Sequence, residues 1–261
     1  MKNVNIVFFI IITANIYAQE RGAIIYDDNA QVRKVASFNA IKVSNAIDLY
    51  LTQSTVNKVA VSATNEEIRD QIITEVEGGV LIIRLGENRS WFNWKKWGNY
   101  KTKAYVSIKD INAIEATGAS DIHIVNTIVS PKMNIKLSGA SDLKGNIEGG
   151  TIIYNISGAS DCRNQVEANT IAINGEGASR IELSGKVDDL SVIVSGASDA
   201  RLYELSSKGA ILKAAGASNI QATVAEIVKA NASGASNINY RGNPSVKESK
   251  ASGASNIKHK N

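Results

Sequence analysis

The 261-residue sequence has one cysteine, Cys162, two prolines, Pro131 and Pro244, and two histidines, His123 and His259. A single cysteine excludes an internal disulfide, so stability must come from packing and backbone pairing. Two histidines leave few bases to activate a nucleophile. The excess of one charge sign over the other is also small. The net charge of +4 is spread along the chain, apart from a small group at Lys95, Lys96, Lys101 and Lys103, which is too sparse for a nucleic-acid footprint. Long apolar runs are missing after the first 20 residues, so no membrane-spanning helix is expected in the rest of the chain.

The one apolar run lies in "MKNVNIVFFIIITANIYAQE", where a single lysine precedes Ile6 to Ile12 and the small residue Ala18 follows. This pattern predicts a signal peptide over residues 1–18, cleaved after Ala18, with a linker over 19–36. The run is short for a span of a bilayer about 30 Å thick, which argues against the alternative of a membrane anchor. No cysteine follows the signal, so a lipoprotein anchor is not expected.

What is abundant is glycine, 20 residues, together with Ile, Val, Ser, Thr and Asn in short alternations. That profile is all-β with many tight turns. Eight copies of Gly-Ala-Ser occur between Gly118 and Ser255. Cutting before each one gives segments that start at Thr117, Ser138, Ser157, Glu176, Ser195, Ala215, Ser233 and Ser252, spaced by 21, 19, 19, 19, 20, 18 and 19 residues. So regular a period indicates a solenoid, in which each unit buries its apolar face only by stacking on a neighbour.

Within the repeat, the residue two places after the triplet is apolar or small: Ile122, Leu143, Cys162, Ile181, Ala200, Ile220, Ile238 and Ile257. This column reads as a core ladder. Strict alternation at Ile152, Tyr154, Ile156 and at Leu190, Val192, Val194 gives strands with one buried side. Nineteen residues at about 3.3 Å each trace roughly 60 Å, enough for a coil of three short strands and three corners. The expected fold is therefore a single-stranded parallel β-helix, right-handed by the usual crossover preference; a meander of hairpins is the alternative.

The chain before the repeats, residues 37–116, reads as a β-rich section that caps the first coil. Strands are expected at about 56–63, 72–76, 80–85 and 103–109, with a hairpin across Gly78-Gly79. "VSNAIDLYL" from Val43 places Ser44-Asn45-Ala46-Ile47-Asp48-Leu49 where Ser-Gly-Ala-Ser-Asp-Leu stands later, so the solenoid can begin earlier than the first triplet. Lys258 and Lys260 flank the last strand as edge charges.

Three roles for the triplet compete. Calcium loops need a carboxylate in every coil, yet the fourth position runs Asp121, Asp142, Asp161, Arg180, Asp199, Asn219, Asn237, Asn256. Serine catalysis needs a base and an orienting group, and eight equivalent serines cannot all be nucleophiles. His123 alternates with Ile122 and Ile124 and should face solvent. The remaining role is a structural corner. Gly118, Gly139, Gly158 and Gly196 supply the backbone angle, while Ser120, Ser141, Ser160 and Ser198 with Asp121, Asp142, Asp161 and Asp199 form a stacked polar ladder. Arg180 would pair with Asp161 or Asp199. No metal, cofactor or catalytic residue is expected.

The outlier is "ENRSWFNWKKWGNYK", residues 87–101, which carries Trp91, Phe92, Trp94, Lys95, Lys96, Trp97 and Tyr100 outside the repeats. Aromatics on a connection are a common device for binding sugars or apolar partners. The alternative is a hydrophobic cap over the end of the helix. A carbohydrate-active enzyme would gather acids on one face; Asp188, Asp189 and Glu204 are candidates, but their spacing singles out no pair.

On these residues the chain resembles the head GIN domain family of auto-transporter adhesins, found in exported proteins of Bacteroidota and other bacteria. The resemblance runs from about Phe38 to Ile257 and rests on "FNAIKVSNAIDLYLTQ", "VEGGVLII", "ATGASDI", the recurring "SGAS", and "YRGNPSV" followed by "SGASNI". It implies one β-helical domain over 37–261, with repeats over 117–261, and a role in adhesion without enzyme activity or assigned catalytic residues. Only "KHKN" follows Ile257, so the membrane barrel of an auto-transporter is not expected here. The expected protein is an exported, non-enzymatic envelope module of a Gram-negative bacterium, in the periplasm or at the cell surface. It would bind a glycan or an envelope partner; a polysaccharide-degrading enzyme and a structural part of an envelope assembly are the alternatives.

Overall fold

Every glycine of the eight Gly-Ala-Ser triplets has a positive φ, between 72° and 81°. That region is open to glycine and costly for other residues. The computed structural model describes residues 27–86 and 100–260. In it each triplet turns the chain through one tight corner, and the corners stack in register. From the second triplet onward the alanine N–H donates to the glycine carbonyl one coil below, as in Ala140 to Gly118 at 2.7 Å and Ala159 to Gly139 at 2.7 Å.

Between corners the chain forms a single long strand rather than three short ones. β11 (Asp142–Ile156), β12 (Asp161–Gly175), β13 (Arg180–Val194), β14 (Asp199–Ala214) and β15 (Asn219–Ala232) each cover nearly a full coil. They pair in parallel, β11 with β12 and so on to β15. The strand bends instead of breaking. Gly145 and Gly185, two register positions apart, take φ of 140° and 114° where the chain leaves the leading face; a Cβ on Gly185 would stand 2.0 Å from the Val166 carbonyl oxygen. Each coil thus has a leading face just after the corner, a middle segment, and a trailing face running into the next corner.

The solenoid does begin before the repeats. β2 (Ala40–Val43) and β3 (Ile47–Gln53) flank a corner at Asn45 and Ala46, the two non-glycine residues with positive φ among the described residues. β8 (Ala113–Ala116) and β9 (Asp121–Ile124) stack directly on them, with Ile41 beside Ile114 and Leu49 beside Ile122. β10 (Ile128–Leu137) completes the next coil.

Below β2 and β3 lie β6 (Val80–Leu85) and β7 (Thr102–Ile108), both parallel to them. Beyond that level the pairing turns antiparallel. β4 (Lys58–Ala63) covers β7, β1 (Gln31–Arg33) covers β4, and β5 (Ile72–Glu77) covers β6 through the Gly78-Gly79 hairpin. A one-turn helix, α1 (Glu66–Arg69), is capped by Asn65, whose side chain accepts the Ile68 N–H at 2.9 Å. It buries Ile68 against this end. Antiparallel strands close the first coils, as a cap should.

The other end is finished by β16 (Asn237–Arg241), β17 (Ser245–Ala251) and β18 (Asn256–His259). There the core thins. Tyr240 packs on the last buried layer, and His259 stacks on it with ring centroids 5.2 Å apart.

The core is a set of vertical ladders. Leu49, Ile122, Leu143, Cys162, Ile181, Ala200, Ile220, Ile238 and Ile257 lie in one register column, and all but the terminal Ile257 are buried. Full burial of each larger side chain contributes about 1.5–3 kcal/mol. Cys162 belongs to this ladder, and its thiol donates to Asn164 Oδ1 at 3.1 Å. Burial, with Asp142 and Asp161 nearby, pushes the thiol far above its ordinary value.

Candidate functional face

The serine of the triplet points into the core. Ser120, Ser141, Ser160 and Ser198 are 0% exposed. Their hydroxyls satisfy turn groups: Ser120 Oγ accepts the Ile47 N–H at 3.2 Å, Ser141 Oγ accepts the Ser120 N–H at 3.3 Å, and Ser160 Oγ accepts the Ser141 N–H at 3.2 Å. A nucleophile so placed could meet no substrate. The column is a structural hydrogen-bond ladder.

The next residue of each coil faces outward. Asp121, Asp142, Asp161, Arg180 and Asp199 are direct neighbours on successive coils, and Asp48 enters the same column one level lower. Burial, followed by the charges of Asp121 and Asp161, raises the Asp142 carboxyl above its ordinary value. Asp48 is raised by burial and by Asp121. Arg180 relieves the crowding by pairing with Asp161 at 3.0 Å, while Asp199 pairs with Arg201 at 2.8 Å. Higher up, Asn237 donates to Asn219 at 3.0 Å, so the amides continue the column without charge. Among the described residues no group of His, Cys, Asp or Glu is arranged to hold a metal ion.

Two residues further along the leading face runs another register column: Tyr105, Tyr50, His123, Lys144, Arg163, Glu182, Arg201, Gln221. Its lower end is aromatic. Tyr50 stacks on Tyr105 at 5.3 Å and on His123 at 5.0 Å, with interplanar angles of 22° and 26°. His123 is therefore half-buried in a ring stack rather than simply facing solvent.

Asp27 anchors this end. It accepts hydrogen bonds from Ser62 Oγ at 2.5 Å, Tyr105 OH at 2.9 Å and Lys103 Nζ at 3.2 Å. Burial alone would raise its carboxyl, but the bonds from Ser62, Tyr105 and Lys103 outweigh it and hold Asp27 below the ordinary value.

The upper end is a groove of about 520 Å³ where the leading face meets the middle segment. Lys144, Arg163, Glu182 and Arg201 form one wall, and Asn146, Gln165, Ser184 and Tyr203 line the other side. Arg163 pairs with Glu182 at 3.3 Å. The Arg241 guanidinium lies 4.0 Å from the centre of the Tyr203 ring and braces it by a cation–π contact. The acids proposed for an enzyme do not gather there. Glu204 lines the groove, whereas Asp188 and Asp189 do not, and Asp188 pairs with Lys208 at 2.7 Å.

Trp91, Phe92, Trp94, Lys95, Lys96 and Trp97 lie outside the described residues, as does the segment 1–18. Tyr100, the last aromatic of that stretch, is described; it packs against the core just before β7. The groove residues carry no sequence motif. They could have been found only by aligning the repeats and comparing the second residue after the core-adjacent aspartate column, where Lys, Arg, Glu, Arg and Gln replace one another.

A family model described as "Putative auto-transporter adhesin, head GIN domain" matches residues 37–244. The chain belongs to this family. Among solved structures, this head GIN chain is similar to a protein of Parabacteroides distasonis titled a putative lipid binding protein, at 22% identity and a TM-score of 0.77, covering 89% of this chain and 98% of that one. It is also similar to an adhesin so titled from Parabacteroides merdae, at 16% identity and a TM-score of 0.79, covering 89% and 95%. A second adhesin-titled structure from P. distasonis matches at 20% identity, with a TM-score of 0.73 and coverage of 87% and 95%. At these identities the likeness is one of fold. No curated protein matched the head GIN chain.

Proposed function

We propose that the protein is an exported, non-enzymatic adhesin-type module of the cell envelope, and that its leading face binds a glycan. The observation that carries this reading is the continuous outward column that runs from Tyr50 and His123, stacked over the buried Tyr105, into the groove. A half-exposed aromatic surface beside planar amides suits the apolar C–H patches and the hydroxyls of a sugar. An extended peptide is disfavoured here, because β11 to β14 are hydrogen-bonded on both sides and offer no free edge for strand addition. Trp91, Trp94 and Trp97, which precede β7 in the sequence, stay in the proposal on their residue types alone. Family membership supports export and adhesion.

The test is retention of the purified mature protein on a glycan array and on whole cells. The reading expects binding that Tyr50→Ala weakens, with no sugar released. Release of product, abolished by Glu204→Gln, would favour a polysaccharide-degrading enzyme instead.

A second reading has one observation in its favour. On the trailing face Ile193 and Ile211 remain 44% and 42% exposed, with Lys213 and Lys229 beside them on the next coils. Apolar side chains next to lysines suit an anionic lipid surface, and one structural relative is titled a putative lipid binding protein. Co-sedimentation with vesicles containing phosphatidylglycerol, lost in Ile193→Glu/Ile211→Glu, would support it.

A further inference from the structure

We propose that the groove takes an extended, uncharged glycan lying parallel to the solenoid axis, with one sugar residue against each coil. This rests on the glycan-binding reading and specifies its ligand. The groove walls are two register columns rather than a scatter of loops. Lys144, Arg163, Glu182, Arg201 and Gln221 are strict neighbours on five successive coils, and Asn146, Gln165 and Ser184 are neighbours on three. At about 4.8 Å per coil, five coils span roughly 20 Å. The site therefore repeats along the axis at about the length of one pyranose.

Orientation follows from the backbone. A ligand laid along a strand would have to follow the bends at Gly145 and Gly185, where the chain turns from the leading face. A straight ligand meets no bend along the axis. It passes from coil to coil over side chains in equivalent positions.

Charge follows from the pairing. Both arginines that line the groove are already engaged, Arg163 with Glu182 at 3.3 Å and Arg201 with Asp199 at 2.8 Å; Lys144, which makes no ion pair among the described residues, is offset within the lining by the carboxylate of Glu204. A polyanion would have to compete with those carboxylates and would face Glu204 as well. Hydroxyl groups can instead bridge an arginine and a carboxylate without displacing either. The opposite wall of Asn146, Gln165 and Ser184 adds donors and acceptors of the same kind.

The experiment has two stages. The mature protein is first offered a panel of insoluble polysaccharides: cellulose, mannan, xylan and chitin. Neutral oligosaccharides of the retained polymer, from two to six sugars, are then titrated calorimetrically beside oligogalacturonates of equal length. Affinity should rise at least about tenfold from the disaccharide to the tetra- or pentasaccharide and level off by the hexasaccharide. The exposed substitution Gln165→Ala, at mid-groove, should remove most of that gain with the melting temperature unchanged. A hexasaccharide bound no better than a disaccharide, or tighter binding of the uronates, would overturn the inference and leave the glycan reading standing. Retention on no polysaccharide would overturn both.

Discussion

A Cβ on Gly158 would stand 2.4 Å from the carbonyl oxygen of Gly139 one coil below. That carbonyl accepts the Ala159 N–H at 2.7 Å, so it cannot retreat without losing the bond that joins the two corners. The triplet thus recurs for a backbone reason. Gly158→Ala should cost about 3 kcal/mol or more, because a positive φ is added to a direct backbone clash. Gly209 makes the contrast. It has ordinary φ, and its added Cβ would meet only the Asp189 side chain, at 3.5 Å, so Gly209→Ala should be neutral or stabilising by up to about 1 kcal/mol. Urea unfolding of the two variants checks both.

Asp142 stands between Asp121 and Asp161, and the folded protein holds its proton more tightly than the unfolded chain does. Protons are therefore taken up on folding, and stability falls as pH climbs from the ordinary carboxylate value of 3.8 through the raised one. Asp142→Asn should remove that slope and raise stability at neutral pH by about 0.2–1 kcal/mol, with solvent screening favouring the lower end. Melting curves between pH 3 and pH 7, an interval of about four units that spans ordinary carboxylate titration, would show it.

Tyr154 is fully buried, and its hydroxyl has no hydrogen-bond partner. An unsatisfied buried hydroxyl costs about 1–3 kcal/mol, and phenylalanine keeps the ring. Tyr154→Phe should therefore raise the midpoint of denaturation. A lower midpoint would mean that the hydroxyl is solvated by an internal water.

Calcium should not matter to the fold. The fourth-position column carries Arg180 and three asparagines, and the described residues hold no metal-binding group. Melting temperatures with calcium and with chelator should agree. A difference of many degrees would mean that the aspartate ladder binds cations.

Much of this architecture could be read from the repeat because the constraint is vertical. Every coil must match its neighbours at Gly158, at Ser160 and at Cys162, so the pattern is written eight times and the ladder register follows directly. Even the degenerate corner at Asn45 and Ala46 was readable, since Leu49 keeps the core position. The strand count was not readable: three short strands were expected in each coil, yet the pairing of β11 with β12 and of β12 with β13 runs on past Gly145 and Gly185, and only β13 with β14 shifts register at Gly185. The groove was hidden for the opposite reason. Outward positions are free of the stacking constraint, so Lys144, Arg163, Glu182 and Arg201 share a place without sharing a residue type. Tyr50 and Tyr105 come together only because β7, distant in sequence, pairs with β3.

The central claim is that the triplet builds the coil while the leading face recognises the ligand. Glycan and cell binding should be compared between Ser160→Ala, which removes a buried hydroxyl, and the double variant Arg163→Ala/Arg201→Ala, which strips the groove wall. The account predicts that Ser160→Ala lowers stability by about 1 kcal/mol but binds as the wild type does, and that the double variant folds normally and loses binding. Binding lost in Ser160→Ala at temperatures where it is folded, and kept in the double variant, would contradict it.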